Sequence, residues 1–322
     1  MTQALMQNFN KYVMPATIES LQQRIALFNA ASAGTIVLST AGFNGDFSQE
    51  SFWAGIHSAQ RRVDRYAANG TAPVTDLTQK KRSKVKVAGG FGPVLFEPAQ
   101  LSWLMKPTSE GIEVISRNLA EALLADQLNT AIAALCAAIG AQAALVNDVS
   151  ATLGLSQVAL NDTHAKFGDQ SQRLIAEIMT GAAYHNLVGK NLANAQTLFT
   201  AGNVRVVDIL GKPSIITDAP ALYVAGTPNK YKVLSLAAGA AEVIDGGDMI
   251  SNIAVTNGKE RIESTMQVDY TFGVGLLGYT WDEANGGKSP TDAELATGTN
   301  WDLIATSIKQ TAGVMTIGDA AK

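Results

Sequence analysis

The sequence is short of the residues on which most protein chemistry is built. Of 322 residues, one is cysteine and three are histidine. A single thiol, Cys136, cannot close an intrachain disulfide, which excludes a stapled secreted scaffold and most thiolate metal sites and points to a reducing compartment. His57, His164 and His185 lie far apart, and none has a second histidine or a cysteine at ligand spacing. Charged residues make up only 16% of the chain, against about 25% in an ordinary globular protein. With 47% apolar residues as well, much of the surface falls to Ala, Ser, Thr, Asn, Gln and Gly, which suits a subunit with many neighbours. Basic residues number 24 and acidic residues 28, so the formal charge of −4 gives no global attraction for nucleic acid.

The N-terminal Met1-Thr2-Gln3-Ala4-Leu5-Met6 lacks a basic region followed by an apolar one, so no secretory signal is expected and the Asn-x-Thr triplets at Asn69 and Asn161 carry no meaning as glycan acceptors. The longest uncharged run, residues 127–147, has the length of a membrane span but contains Gln127, Asn129, Thr130, Gly140 and Gln142. It reads as a buried helix of a soluble protein, and no membrane partner is expected.

Enzyme motifs are absent or fail in context. No Gly-x-Ser-x-Gly elbow is present. Gly273-Val274-Gly275-Leu276-Leu277-Gly278 matches a dinucleotide fingerprint after a strand, yet the chain continues extended into Tyr279-Thr280-Trp281-Asp282, with no helix N-terminus to hold a pyrophosphate. Close strand packing explains its glycines instead. Gly287-Lys288-Ser289 mimics the end of a phosphate loop, but Asp282 stands where the first glycine belongs. Cys136 has no basic neighbour in sequence to activate it. The expectation is therefore no catalytic residue, no cofactor and no metal.

What is present is a chain of extended parts. Ile18, Leu21, Ile25 and Phe28 recur at helical spacing inside a polar arm that ends near Gly34. A mixed, partly helical segment over 46–66 follows, broken by Asn69-Gly70-Thr71-Ala72-Pro73. Lys84-Val85-Lys86-Val87-Ala88 and Pro93-Val94-Leu95-Phe96-Glu97 are strand-like, and the intervening Gly89-Gly90-Phe91-Gly92 predicts the turn of a long hairpin. Basic residues crowd here: Arg61, Arg62, Arg65, Lys80, Lys81, Arg82, Lys84 and Lys86 face only Asp64 and Asp76, a local excess of +6 against −10 over the rest of the chain. With only Tyr66 available for stacking, docking on an acidic surface of an identical neighbour ranks above a solvated loop, and both above nucleic-acid binding.

After Pro107, Glu110 and Glu113 favour a helix start, and Ile112, Ile115, Leu119, Leu123, Leu128, Ile132, Leu135 and Ile139 carry an apolar stripe. Unbroken to about Val146, that helix is roughly 57 Å long at about 1.5 Å per residue. Beyond it the pattern predicts a helix over 156–167, a buried strand over 174–179, a helix from about Thr180, strands over 204–209 and 214–217 around Gly211-Lys212-Pro213, strands over 231–237 and 261–279, and a short C-terminal helix presenting Trp301, Ile304 and Ile308. No internal repeat is apparent.

This order resembles the major capsid protein of tailed bacteriophages, of the Johnson fold found in phage Hong Kong 97. The stretches Ser58-Ala59-Gln60-Arg61-Arg62-Val63-Asp64-Arg65-Tyr66, Met179-Thr180-Gly181-Ala182-Ala183-Tyr184-His185 and Asp208-Ile209-Leu210-Gly211-Lys212-Pro213-Ser214-Ile215-Ile216-Thr217-Asp218-Ala219-Pro220 are similar to those of a phage coat family. The resemblance implies an α+β fold with an N-terminal arm over 1–45, an E-loop region over 46–103, a peripheral domain with a spine helix over 104–149 and 250–285, an axial α+β domain over 150–249 and a C-terminal tail over 286–322. It implies hexamers and pentamers of identical subunits forming an icosahedral virion shell around double-stranded DNA held without sequence specificity. The resemblance further implies a scaffolding protein and a portal among the partners and assembly in the host bacterial cytoplasm. A shell protein of an encapsulin nanocompartment is the second reading and a cytosolic enzyme a distant third.

Overall fold

The computed structural model describes residues 3–72, 74–96, 109–194, 212–257, 260 and 263–322. The expected strand over 204–209 and the start of the expected strand at Arg261 lie outside these residues.

The first element is longer than the arm's periodicity implied. Helix α1, Gln3–Ala31, runs 29 residues and continues through Pro15. It lies on the long helix α2, Ser109–Gly140, through Leu21, Ile25 and Phe28. Ile18 was expected on the same face but is exposed, and Val13 and Thr17 take its place, one helical turn apart. Arg24 ties the two helices by a 2.7 Å ion pair to Glu121. The Asn29 side chain then bonds the N–H and C=O of Leu38, fixing where strand β1, Ile36–Ser39, leaves the helix.

α2 is the 32-residue axis of the subunit. Its stretch Glu113–Gly140 is apolar and long enough to cross a membrane by composition alone. In the fold, Leu123, Ile132, Leu135 and Ile139 of the expected stripe are buried, while Ile115, Leu119 and Leu128 are partly covered. The helix stops at Gly140, short of the expected Val146, because residues 143–145 tighten into a 3-10 turn and Val146–Asp148 forms strand β4.

Two mixed sheets flank this axis. The first has the order β1-β9-β11-β3-β2, with β10 added to β11, and uses β2 Phe47–Trp53, β3 Gln79–Phe96, β9 Ala241–Asp245, β10 Ile250–Thr256 and β11 Glu263–Leu276. The second has the order β4-β14-β8-β5-β6, with β7 added to β8, and uses β5 Leu174–Met179, β6 Ser214–Ile216, β7 Tyr223–Val224, β8 Lys230–Ala237 and β14 Gly313–Asp319. Helices α3, Gln157–Ala165, and α4, Gly181–Asn194, pack on the second sheet through Leu160, Ala183, Tyr184 and Leu187. Ser156 caps α3 by accepting from the Ala159 N–H at 3.2 Å, as its position before an apolar-periodic run requires. One continuous hydrophobic cluster joins α1, α2 and both sheets.

Three expectations are corrected. Within the segment 46–66, read as mixed and partly helical, residues 47–53 form strand β2 and only 56–59 turn helical. The Gly89–Gly92 run is no turn: β3 passes straight through it, pairing with β11 from Val85 to Phe96 with an irregularity opposite residues 266–268. A Cβ at Gly89 would strike the Tyr270 ring at 2.8 Å and one at Gly90 the Asp269 carboxylate at 2.8 Å, so these glycines admit β11 side chains across the ladder. The segment 286–322, expected as a tail with a helix at Trp301, carries a short α-helix, α5, at Asp292–Leu295 and 3-10 turns at 298–300 and 308–310. Trp301–Leu303 is strand β13, paired with β12, Tyr279–Trp281. β14 lies inside the second sheet, between β4 and β8.

Candidate functional site

β2 and β3 form a ribbon whose register runs from Phe47↔Val85 to Trp53↔Gln79, and residues 54–78 connect them. The hairpin therefore turns at this connection, ahead of the stretch where the glycines placed it. The eight basic residues expected to act together divide between two environments.

Arg61, Arg62 and Arg65 lie in the connection and are exposed, and among the described residues none of them forms an ion pair. Their neighbours are equally open: Val63 is 62% exposed, Val74 90% and Tyr66 100%. The Asp64 carboxylate turns inward on its own loop, accepting from the Tyr66 N–H at 2.9 Å. A loop carrying bare guanidiniums beside bare apolar side chains has surface to offer a partner.

The five basic residues of β3 are occupied within the subunit. Lys84 is 4% exposed and sits between two carboxylates, Glu50 on β2 and Glu242 on β9, each at 2.7 Å. That hydrogen bond from Lys84 holds the Glu50 carboxyl below the usual carboxylate range, against an opposing push from burial. Lys81 pairs with Glu283 at 2.7 Å, Arg82 with Glu50 at 3.8 Å and Lys86 with Asp248 at 3.4 Å. Lys80 donates to the Ile304 carbonyl at 2.7 Å. Glu283 is held low as well, first by its bond from Lys81 and then by that from Ser83. The linear sequence shows eight cations in a row of 26 positions but not Glu50, Glu242 and Glu283, the carboxylates that folding brings to them. Alternation at Lys84-Val85-Lys86-Val87 was the one available signal, since it puts Lys84 and Lys86 on one face of a strand.

The motifs set aside from sequence fall into structural roles. Gly273 and Gly275 lie within β11, where a Cβ would meet Phe43 at 2.1 Å and the Lys84 stem at 2.7 Å. Lys288 pairs with Asp46 at 2.9 Å. Cys136 is buried on α2, and burial pushes its thiol up to about 11. Among the described residues no group of three His, Cys, Asp or Glu is placed to hold a metal ion.

One polar cluster escaped the sequence reading. His164 on α3 directs Nε2 to both Ser235 Oγ at 3.0 Å and Glu177 Oε1 at 3.3 Å, all three buried between α3, β5 and β8. Both contacts use one ring nitrogen, so the ring cannot relay a proton from serine to carboxylate through its two nitrogens. The cluster joins a helix to its sheet.

Comparison with known proteins agrees with the architecture. The model of a family described as Gp13-like, major capsid protein 13-like, matches residues 5–315. No curated protein matches the sequence. Among solved structures, the fold is similar to the capsid asymmetric unit of cyanophage Pam1, at a TM-score of 0.51 and 12% identity, over 88% of this chain and 89% of that one. It is also similar to a chain of Mycobacterium phage Cain, at a TM-score of 0.50 and 10% identity, over 88% of each chain. The family match favours the phage coat over the nanocompartment shell and over an enzyme. With its long helix α2, its two sheets and the β2–β3 ribbon, the chain belongs to the major capsid protein 13-like family and is a structural protein of the tailed-phage virion, self-assembling with identical copies into the shell.

Proposed function

We propose that the shell is built from hexamers and pentamers in which the connection over 54–78 of one subunit docks, through Arg61, Arg62 and Arg65, on an acidic surface of the adjacent copy. The observation that carries this reading is the uncompensated charge of those three exposed arginines on a chain whose net charge is −4. Opposite charges on one repeated subunit attract head to flank, and a heterologous contact of that kind closes into rings where its rotation divides the circle into five or six. Lys80, Lys81, Arg82, Lys84 and Lys86, grouped with the arginines on sequence grounds, serve the hairpin's own attachment instead. In this reading the segments 46–96 and 241–276 belong to an outer sheet and its hairpin, and 150–237 with 313–319 to an axial domain. Assembly takes place in the host bacterial cytoplasm with a scaffolding protein and a portal. The enclosed double-stranded DNA is confined by the shell more than gripped by it, because an acidic subunit offers few phosphate contacts.

The test is the triple variant Arg61→Glu, Arg62→Glu, Arg65→Glu, followed by sedimentation and electron microscopy. The expected result is folded subunits that form no closed particles, in a parent whose particles loosen between 0.1 M and 1 M salt as the screening length falls from about 10 Å to about 3 Å. Normal particles from the triple variant, with the parent's salt response, reject the docking.

A further inference from the structure

The β2–β3 ribbon meets the rest of its sheet only at its base, at Val85. β3 pairs with β11 over Val85 to Phe96, so residues 79–84 have β2 as their single strand partner. The outer part, 49–53 with 79–83, contributes no side chain to the hydrophobic cluster, whereas Val85 and Val87 just beyond it are buried there. A two-stranded ribbon without an apolar face is marginal by itself.

Polar contacts to the β12–β13 layer take the place of a core. A single carboxylate oxygen, Glu283 Oε1, accepts from three donors of the ribbon: Lys81 Nζ at 2.7 Å, Ser83 Oγ at 2.6 Å and Gln49 Nε2 at 2.8 Å. Beside it the Ser83 N–H donates to Thr280 Oγ1 at 2.7 Å. The layer that presents Glu283 is itself braced. Trp281 and Trp301 meet edge to face with centroids 4.9 Å apart, and their indole N–H groups bond the carbonyls of Gly287 and Leu295 at 3.0 Å each.

We propose that Glu283 is a latch: it clamps the outer part of the ribbon, 49–53 with 79–83, to the β12–β13 layer, and its release lets that part swing about a hinge at Lys84–Val85 while β3 from Val85 onward stays in the sheet. The subunit thereby holds its projecting loop in either of two orientations, whether or not that loop docks as proposed above. The hinge point follows from Lys84, which is buried between Glu50 and Glu242 and keeps the inner ribbon attached to β9 when the clamp opens. The charged groups around the latch are Lys80, which also ties the ribbon to this layer through the Ile304 carbonyl, Lys81 and Arg82 from β3, Glu50 from β2, and Asp282, which caps its own turn through Ala284 and Asn285. Among the described residues Lys81 is the one cation paired with Glu283, so high salt favours release. Protonation of the carboxyl, which Lys81 and Ser83 hold low, also opens the latch, at a pH below the ordinary carboxylate range.

Hydrogen exchange read by mass spectrometry on the full chain tests this, with parent and variant taken from the same sedimentation fraction. In Glu283→Ala, peptides covering 49–53 and 79–83 are expected to exchange about tenfold faster or more, with 85–91 unchanged. Lys288→Ala, which breaks the pair to Asp46 in the same layer, is expected to leave both regions alone. The parent taken from 0.1 M to 1 M salt at pH 7 should show the same localised acceleration, and that measurement decides if Glu283→Ala does not fold. Parental exchange rates in the outer ribbon of the variant, or acceleration spread equally over 85–91, overturn the latch.

Discussion

The stalk and the tip of the hairpin carry the same kind of residue to opposite ends. In the stalk, lysines and an arginine are spent on carboxylates and a carbonyl of their own subunit, and Lys84 is nearly removed from solvent. At the tip, Arg61, Arg62 and Arg65 stand in water. Local charge in a sequence therefore does not measure charge available to a partner. Availability depends on where the fold delivers the counter-ions, and here they come from β2, β9 and the turn after β12, as far as two hundred residues away.

That contrast can be broken by measuring subunit stability. Lys84→Ala should have the largest effect, lowering unfolding free energy by about 2 kcal/mol in urea denaturation. This is less than the roughly 3–5 kcal/mol for breaking a fully buried pair, because Glu50 and Glu242 keep 51% and 32% of their side chains exposed. A variant as stable as the parent would show that the buried lysine contributes nothing. Acid comes next. Glu50 and Glu283 are held low in the folded subunit, so their contribution is present above the ordinary carboxylate range and is lost as pH falls through their folded values. The urea midpoint should fall on acidification from neutrality toward pH 3, and Glu50→Gln should flatten that fall; equal slopes in both proteins would remove the stalk pairs from the explanation. Lys81→Ala, whose side chain is half exposed, should cost only about 0.2–1 kcal/mol. Reversal of the three tip arginines should be smallest, within about 0.5 kcal/mol of the parent, since none of them supports the fold. A large destabilisation there would mean that the tip is packed and the contrast false.

What could be read from sequence depended on whether a segment's partner was itself. The spine helix declares itself by a stripe of Leu and Ile, and α3 by Ser156 ahead of its first turn. The strand Leu174–Met179 stands out as an apolar run of the right length. Gly89–Gly92 misled because glycine breaks most strands, and only the Tyr270 and Asp269 side chains of a distant strand explain it here. β14 went unread although Val314, Met315, Thr316 and Ile317 form a strand-like run, because nothing local says that it fits between β4 and β8. The same holds for the basic cluster: its composition was visible, but its division into paired stalk and bare tip was not.

The place of β14 also sets an order of events during synthesis. It is made after every other strand of its sheet, yet it is the one that joins β4, shortly after α2, to β8. A nascent chain that has not reached residue 313 leaves those two strands without the neighbour between them, and a contact spanning so much sequence is slow to form. Of the two sheets, the second is therefore the last to close.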